Sequence, residues 1–342
     1  MAQTENLVHP VQIGRVALAG NLALAPMHRR TGLAFRLMAR RFGAALTHTE
    51  MATPEELLRW ERHRGGNRRK GGNLLASSPE DRPLGVQILP HRGAPLAEAV
   101  AMVAQRGAGD LVDLNFACPS KRVAGEGCGA VYLRDPEPAV RFVETAARAG
   151  PLPVTLKMRY GYTDSEEDRH LALELARGAV AAGAAAVTLH ARTAADRYDR
   201  RANWPVIAEW AEALPVPVFG CGDLMTPEAV VDMLRQTRCA GASIARGATG
   251  APWIFRQARE LAETGAWQPV TMAERGRALL DHYAALLQQY GEADALRYMQ
   301  HVGSMYARDI RGAHAAIRKA RGMEDFQAIA EKWFRQAGRG IP

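Results

Sequence analysis

Short apolar runs recur along the first three-quarters of the chain, with helical stretches between them. Runs at residues 22–26, 44–49, 84–89, 111–115, 154–158, 186–190, 216–220 and 242–245 have the composition and length of buried strands. One of them, Leu152-Pro153-Val154-Thr155-Leu156-Lys157-Met158, carries near its end a charge that apolar packing alone does not call for. The intervening stretches show helix starts such as Asp135-Pro136-Glu137 and Thr226-Pro227-Glu228, a capping side chain followed by a first-turn proline. Eight alternating βα units predict an α/β protein, a closed parallel (β/α)8 TIM barrel over residues 1–268. The pattern then changes. Leu279, Leu280, Tyr283, Leu286, Leu287 and Tyr290 recur at helical spacing and form one apolar stripe, which predicts a small all-helical C-terminal domain over residues 269–342.

Charge narrows the partners. The formal net charge is +8, which favours an acidic partner such as nucleic acid. Basic residues gather in three places: Arg59, Arg62, Arg64, Arg68, Arg69 and Lys70; then Arg192, Arg197, Arg200 and Arg201; then the tail, from Arg297 and His301 through Arg308, Arg311, Arg318, Lys319 and Arg321. An RNA, gripped by its backbone while one base leaves its stack, suits such a distribution. No apolar run approaches the roughly 18 residues of a membrane span, and no charged-then-apolar leader is present, so a cytoplasmic protein without a membrane or an obligate protein partner is expected. The four cysteines (Cys118, Cys128, Cys221, Cys239) show neither a CxxC pair nor metal-ligand spacing, so no metal is expected.

The strand ends carry the chemistry, because catalysis in this barrel sits at the carboxyl ends of the strands. They read Ala25-Pro26-Met27, Glu50-Met51, Gln87, Asp113 through Lys121, Lys157-Met158-Arg159, His190-Ala191-Arg192-Thr193, Gly220-Cys221-Gly222-Asp223 and Ala245-Arg246-Gly247. Gly-rich turns after the seventh and eighth strands, with Arg246, suit a phosphate. Lys157 and Gln87 suit a flavin, whose reduced ring is anionic and whose pyrimidine edge is amide-like. Cys118 stands just past a strand, stiffened by Pro119 and followed by Gly125, Gly127 and Gly129, which predict a mobile segment. Free thiols titrate near pH 8.5, so a cysteine so placed can give up a proton at neutral pH, whereas Cys128 and Cys239 look like packing residues.

These residues resemble the tRNA-dihydrouridine synthase family over roughly residues 10–325. The matching pieces are Ala25-Pro26-Met27, Thr49-Glu50-Met51, Gln87, Asn115 through Lys121, Lys157-Met158-Arg159, His190-Ala191-Arg192-Thr193, and Arg246-Gly247 with Pro252-Trp253-Ile254-Phe255. The resemblance implies an FMN-containing barrel with a helical RNA-binding domain that reduces uridine to 5,6-dihydrouridine in tRNA, with NADPH as reductant. It makes Cys118 the proton donor. Pro26, Met27, Gln87, Lys157, His190, Gly222, Asp223 and Arg246 would line the flavin, together with His28, Cys221 and Ala245. The chain departs from the family in the first loop, His28-Arg29-Arg30-Thr31-Gly32, where a small residue pair and an Asp are usual, at Cys221, where Asn is usual, and at Ala117 and Ala245, where Gly is usual. A methyl at Ala245 would crowd the flavin phosphate or oppose a left-handed backbone. The alternatives are a flavin oxidoreductase of free pyrimidines, a synthase acting on ribosomal RNA, and a non-catalytic RNA-binding barrel.

Overall fold

The computed structural model describes residues 6–62 and 75–335. Ten strands are present among them. A short antiparallel hairpin, β1 (Val11–Ile13) and β2 (Val16–Leu18), precedes the eight parallel strands β3 (Leu22–Leu24), β4 (Thr47–His48), β5 (Leu84–Ile88), β6 (Leu111–Phe116), β7 (Val154–Arg159), β8 (Ala184–His190), β9 (Val218–Cys221) and β10 (Gly241–Ile244). The eight follow sequence order around the sheet, with β10 paired to β3. An Ala23–Leu46 bridge, with Leu24 N–H donating to Leu46 O at 2.8 Å, closes the ring between β3 and β4. Each strand is followed by a helix, from Leu33–Arg41 after β3 to Ile254–Thr264 after β10. The (β/α)8 barrel followed by C-terminal helices is the architecture the apolar pattern predicts.

Details differ from the pattern for local reasons. The first strand stops at Leu24 rather than residue 26, because Pro26 has no N–H for the ladder. The second is reduced to Thr47–His48, and β9 starts after Pro217. Thr226 Oγ1 accepts from Ala229 N–H at 3.2 Å as a cap, but Asp135 caps nothing. Its carboxylate is taken by Arg92 at 2.6 Å instead. The hairpin escapes the apolar pattern altogether. Its residues Val11, Ile13 and Leu18 pack with Ala23, Leu46, Leu111, Ala186 and Phe219 to fill the amino-terminal end of the barrel. That end is apolar and closed, which leaves the carboxyl end for polar chemistry.

The tail begins with helix Met272–Tyr290, capped by Thr271, and continues through helices Glu292–Val302, Ala313–Lys319 and Met323–Ile329. Leu279, Tyr283 and Leu286 of the stripe are buried, in the same apolar core as the barrel's Phe35 and Trp253. His282 lies at the centre of that seam, fully buried, its ring 5.6 Å from both Phe35 and Tyr298 and its Nδ1 3.2 Å from Tyr306 Oη. Burial drives its pKa from 6.5 down to about 3. The folded chain therefore keeps His282 neutral at pH values where the unfolded chain protonates it. Stability from this site is complete above pH 6.5 and is lost as pH falls from 6.5 toward 3. At about 1.4 kcal/mol per pH unit, about 2 kcal/mol should be missing at pH 5. Urea midpoints at pH 7 and pH 5 check this, and His282→Leu should shrink their difference by that amount.

Candidate active site

Side-chain parity along the strands builds the site. Residues two apart on a strand share a face, so Asp113 and Asn115 point with each other, as do Thr155, Lys157 and Arg159. The parallel register sets Gln87 beside Asp113, Asn115 beside Lys157, Arg159 beside His190, and His190 beside Cys221. The result is a belt of polar groups around the barrel mouth. It opens into a cavity of about 370 Å³ whose wall includes Pro26, Met27, His28, Gln87, Cys118, Lys157, His190, Cys221, Gly222, Asp223, Ala245 and Arg246. The structure thus brings together every residue that the sequence marks as catalytic or cofactor-binding.

Cys118 is half-buried on the turn after β6. Its N–H donates to Asn115 Oδ1 at 3.0 Å, its carbonyl accepts from Ala130 N–H at 3.0 Å, and its Sγ lies 3.7 Å from Ser120 Oγ. The glycine-bearing segment after Cys118 folds into two short helical turns, Lys121–Gly125 and Gly129–Leu133. Ser120 caps a one-turn helix, Lys121–Gly125, and Gly129 passes so close that a Cβ there would sit 2.6 Å from Cys118 O. Cys128 is buried behind this turn, and burial pushes its thiol up to about 11, so it is no proton donor at neutral pH.

The opposite wall is cationic. His190 is buried, and burial with the charges of Lys157, Arg159, Arg192 and Arg246 holds its pKa well below 6.5. The imidazole is neutral, and because Arg192 Nη1, a donor only, lies 3.4 Å from Nε2, its proton sits on Nδ1. Arg192 is 1% exposed and spent on Asp223, at 2.6 and 2.8 Å, so it belongs to the site and not to a basic surface stretch. Arg246 shares that carboxylate at 3.4 Å and lies 4.4 Å over the Tyr198 ring. Gly222 and Asp223 both have positive φ, +133 and 56, and this kinked turn holds the Asp223 carboxylate where Ala202 N–H also reaches it at 2.8 Å. Ala245 has φ −108, so no left-handed backbone opposes its methyl, which leaves crowding of a phosphate as the expectation that applies there.

The cavity also holds residues to which the sequence assigned no role: Arg30, Arg159, Tyr198 and Ser243. Arg159 spans two loops, donating to Ala117 O at 2.9 Å and Thr193 O at 2.6 Å. Parity with Lys157 was a usable signal for it; Tyr198, in a charged loop, offers none. Two features fit a bound anionic cofactor. Lys157 is 9% exposed, and its ammonium has no carboxylate partner among the described residues; Ser243 Oγ is buried in the cavity wall without a hydrogen bond. A buried cation and a buried hydroxyl left unpaired are costly unless a ligand completes them. No group of side chains suited to a metal ion occurs among the described residues.

Comparison with known proteins agrees with this picture. The family model described as Dihydrouridine synthase (Dus) matches residues 23–335. A probable tRNA-dihydrouridine synthase of Treponema pallidum is 35% identical, covering 96% of this chain and 97% of its own. The tRNA-dihydrouridine synthase B of Pseudomonas aeruginosa is also 35% identical, covering 93% of each. Among solved structures, histamine dehydrogenase from Rhizobium sp. 4-9 superposes with a TM-score of 0.56 at 13% identity. That match covers 82% of this chain and 51% of the dehydrogenase, and it shows the shared barrel fold. Fold, site and relatives define a flavin-dependent oxidoreductase built on a parallel barrel. The chain belongs to the dihydrouridine synthase family.

Proposed function

We propose that the chain reduces uridine to 5,6-dihydrouridine in RNA, most simply tRNA, with FMN as its flavin and NADPH as reductant. One observation carries the reading: a half-buried thiol and an unpartnered buried lysine face one cavity in a member of this family. Pro26, Met27, His28, Gln87, Lys157, His190, Cys221, Gly222, Asp223, Ala245 and Arg246 would hold the FMN. When bound, FMN supplies the hydride that reaches carbon 6 of the uracil. Lys157 would balance negative charge on the cofactor's pyrimidine side, and Arg246 with the backbone N–H groups of the Gly222–Asp223 turn would hold the phosphate. Neutral His190 donates from Nδ1 without adding charge. Cys118 gives its proton to carbon 5, and Ser120, 3.7 Å away, lies on the route from solvent that restores it. The purified protein should show an oxidised-flavin absorption spectrum and, with NADPH, should add two hydrogens to a uridine of tRNA, read by nucleoside mass spectrometry. Turnover of free orotate or uracil without RNA would reject it.

The division into a barrel, 1–268, and a helical RNA-binding domain, 269–342, is part of this reading. The tail touches the loops that line the cavity: Tyr298 Oη donates to Arg30 O at 2.8 Å, and Arg308 Nη2 to Thr249 O at 3.1 Å. Arg311, Arg318, Lys319 and Arg321 are exposed and form no ion pair among the described residues. Arg197 and Arg201, beside the cavity, are likewise exposed and unpaired there, whereas Arg200 is tied to Asp164 and Asp196. Arg64, Arg68, Arg69 and Lys70 lie outside the described residues. Removing one phosphate-binding cation should flatten the salt dependence of binding by about 0.7–0.9 in log–log slope. Changing Arg311, Arg318 and Arg321 to Glu should therefore reduce the slope by about 2–3, measured by fluorescence anisotropy across a salt series. An unchanged slope would make this a solvated face and nothing more.

A further inference from the structure

A buried hydrogen-bond chain runs from the barrel interior to the Cys118 turn. Asp113, 1% exposed on β6, accepts from Gln87 Nε2 and from Thr155 Oγ1, each at 2.7 Å. Gln87 Oε1 accepts from Asn115 Nδ2 at 3.0 Å. Asn115 Oδ1 accepts from the N–H groups of Ala117 and Cys118, at 2.9 and 3.0 Å. A carboxylate only accepts and a backbone N–H only donates. At one end Gln87 must therefore turn its NH2 to Asp113; at the other, Asn115 must turn its oxygen to the Cys118 turn. The middle contact is then the Asn115 nitrogen on the Gln87 oxygen, and the two ends agree on that polarity. Neither amide can flip without leaving a buried donor facing a donor or a buried acceptor facing an acceptor, and each such mismatch carries the desolvation penalty of the unsatisfied group.

We propose that Asp113 is a positioning residue for the reaction. Its carboxylate acts through Gln87 and Asn115 to pin the turn that carries the Cys118 thiol, and it fixes which polarity Gln87 presents to the cavity. The catalytic part rests on the function proposed above; the pinning of the turn does not, and the two are read separately.

The test is alkylation of Cys118 by iodoacetamide in the holoenzyme, followed by peptide mass spectrometry. Cys128, Cys221 and Cys239 are buried and serve as internal references. In Asp113→Asn the new amide can face Gln87 with either its oxygen or its nitrogen, so the chain loses its anchor. Cys118 alkylation should rise by about tenfold, the scale of one hydrogen bond in a buried charged network. Uridine reduction should fall by a similar factor in kcat, with KM for RNA little changed. The double variant Gln87→Glu/Asp113→Asn discriminates positioning from packing. The carboxylate it places at position 87 would accept from the new amide at position 113 on one side and from Asn115 Nδ2 on the other. That arrangement turns the Asn115 oxygen back to the Cys118 turn, and alkylation should return toward the parent rate. Gln87→Met cuts the chain without touching the Asp113 carboxylate and should raise alkylation as Asp113→Asn does; it carries the test if Asp113→Asn does not fold. Parent-like alkylation in a folded Asp113→Asn or Gln87→Met variant, or a double variant no slower than the single, overturns the proposal. If RNA is not reduced by the parent itself, the alkylation series still decides whether Asp113 holds the turn.

Discussion

Cys118→Ala should lower uridine reduction by about 10²-fold or more, the scale of losing a general acid. The reasons are geometric. The thiol is the proton-bearing group that the turn after β6 presents at the cavity wall, pinned by Asn115 below and by Ala130 beside it. Arg159, which donates to the carbonyl of Ala117 next to the thiol-bearing residue at 2.9 Å, would stabilise the thiolate left after the proton has gone. Cys118→Ser keeps the size and loses the acidity, so it should be nearly as slow, since a hydroxyl is a far weaker acid than a thiol. Stopped-flow traces separate the two half-reactions: oxidation of NADPH precedes any need for the proton, and transfer to RNA requires it. Single-turnover uridine reduction by Cys118→Ala at the parent rate would remove the thiol from the mechanism. The double variant Cys118→Ala/Cys128→Ala should behave as the single one, because Cys128 is buried with its thiol pushed up to about 11.

The site was legible in the sequence to the extent that topology concentrates it. A parallel barrel delivers the carboxyl ends of distant strands to one rim, so a list of strand ends is close to a list of cavity residues. Residues as far apart as Pro26 and Arg246 meet in one wall for that reason. Three kinds of feature were hidden. Charges consumed inside the fold look like surface charges in the sequence: Arg192 reads as part of a basic stretch, yet it is 1% exposed on Asp223. Residues placed by a loop, such as Tyr198 over His190 at 6.3 Å, follow no periodicity. The hairpin that closes the barrel's far end is too short for an alternating pattern, although the two-residue loop Gly14-Arg15, with Gly14 at φ 54, is a turn signal that could have been used. Of the glycines after Cys118, Gly129 answers to close approach, whereas Gly125 and Gly127 have open space where a Cβ would stand.

The largest expected loss of stability comes from a pair with no sequence signature. Arg36, 2% exposed on the first barrel helix, and Asp81, 0% exposed in the short turn Pro79–Asp81, form a buried ion pair at 2.8 Å. Asp81 also accepts from Arg36 Nε at 3.0 Å and from Thr47 Oγ1 at 3.0 Å. The other guanidinium donors go to Thr31 O at 2.7 Å and Ala76 O at 2.5 Å, so the guanidinium is satisfied only while every partner stays in place. Removing the carboxylate leaves a cation in a site that water does not reach. Asp81→Ala should therefore cost about 3–5 kcal/mol, far more than any exposed ion pair on this surface. Replacing both partners by apolar groups, as in Arg36→Met/Asp81→Leu, should cost less than the sum of the singles, since no charge is then stranded. The damage should also reach the cavity. Thr31, held by Arg36 through its carbonyl, accepts from Met27 N–H at 3.1 Å and so fixes the loop that carries Met27, His28 and Arg30. Urea midpoints of the two singles and the double give the coupling energy directly. Flavin affinity of Asp81→Ala, measured well below its unfolding midpoint, should fall along with stability. If Asp81→Ala unfolds within about 1 kcal/mol of the parent, the pair is not the tie between the first helix and the cavity loop that the geometry makes it.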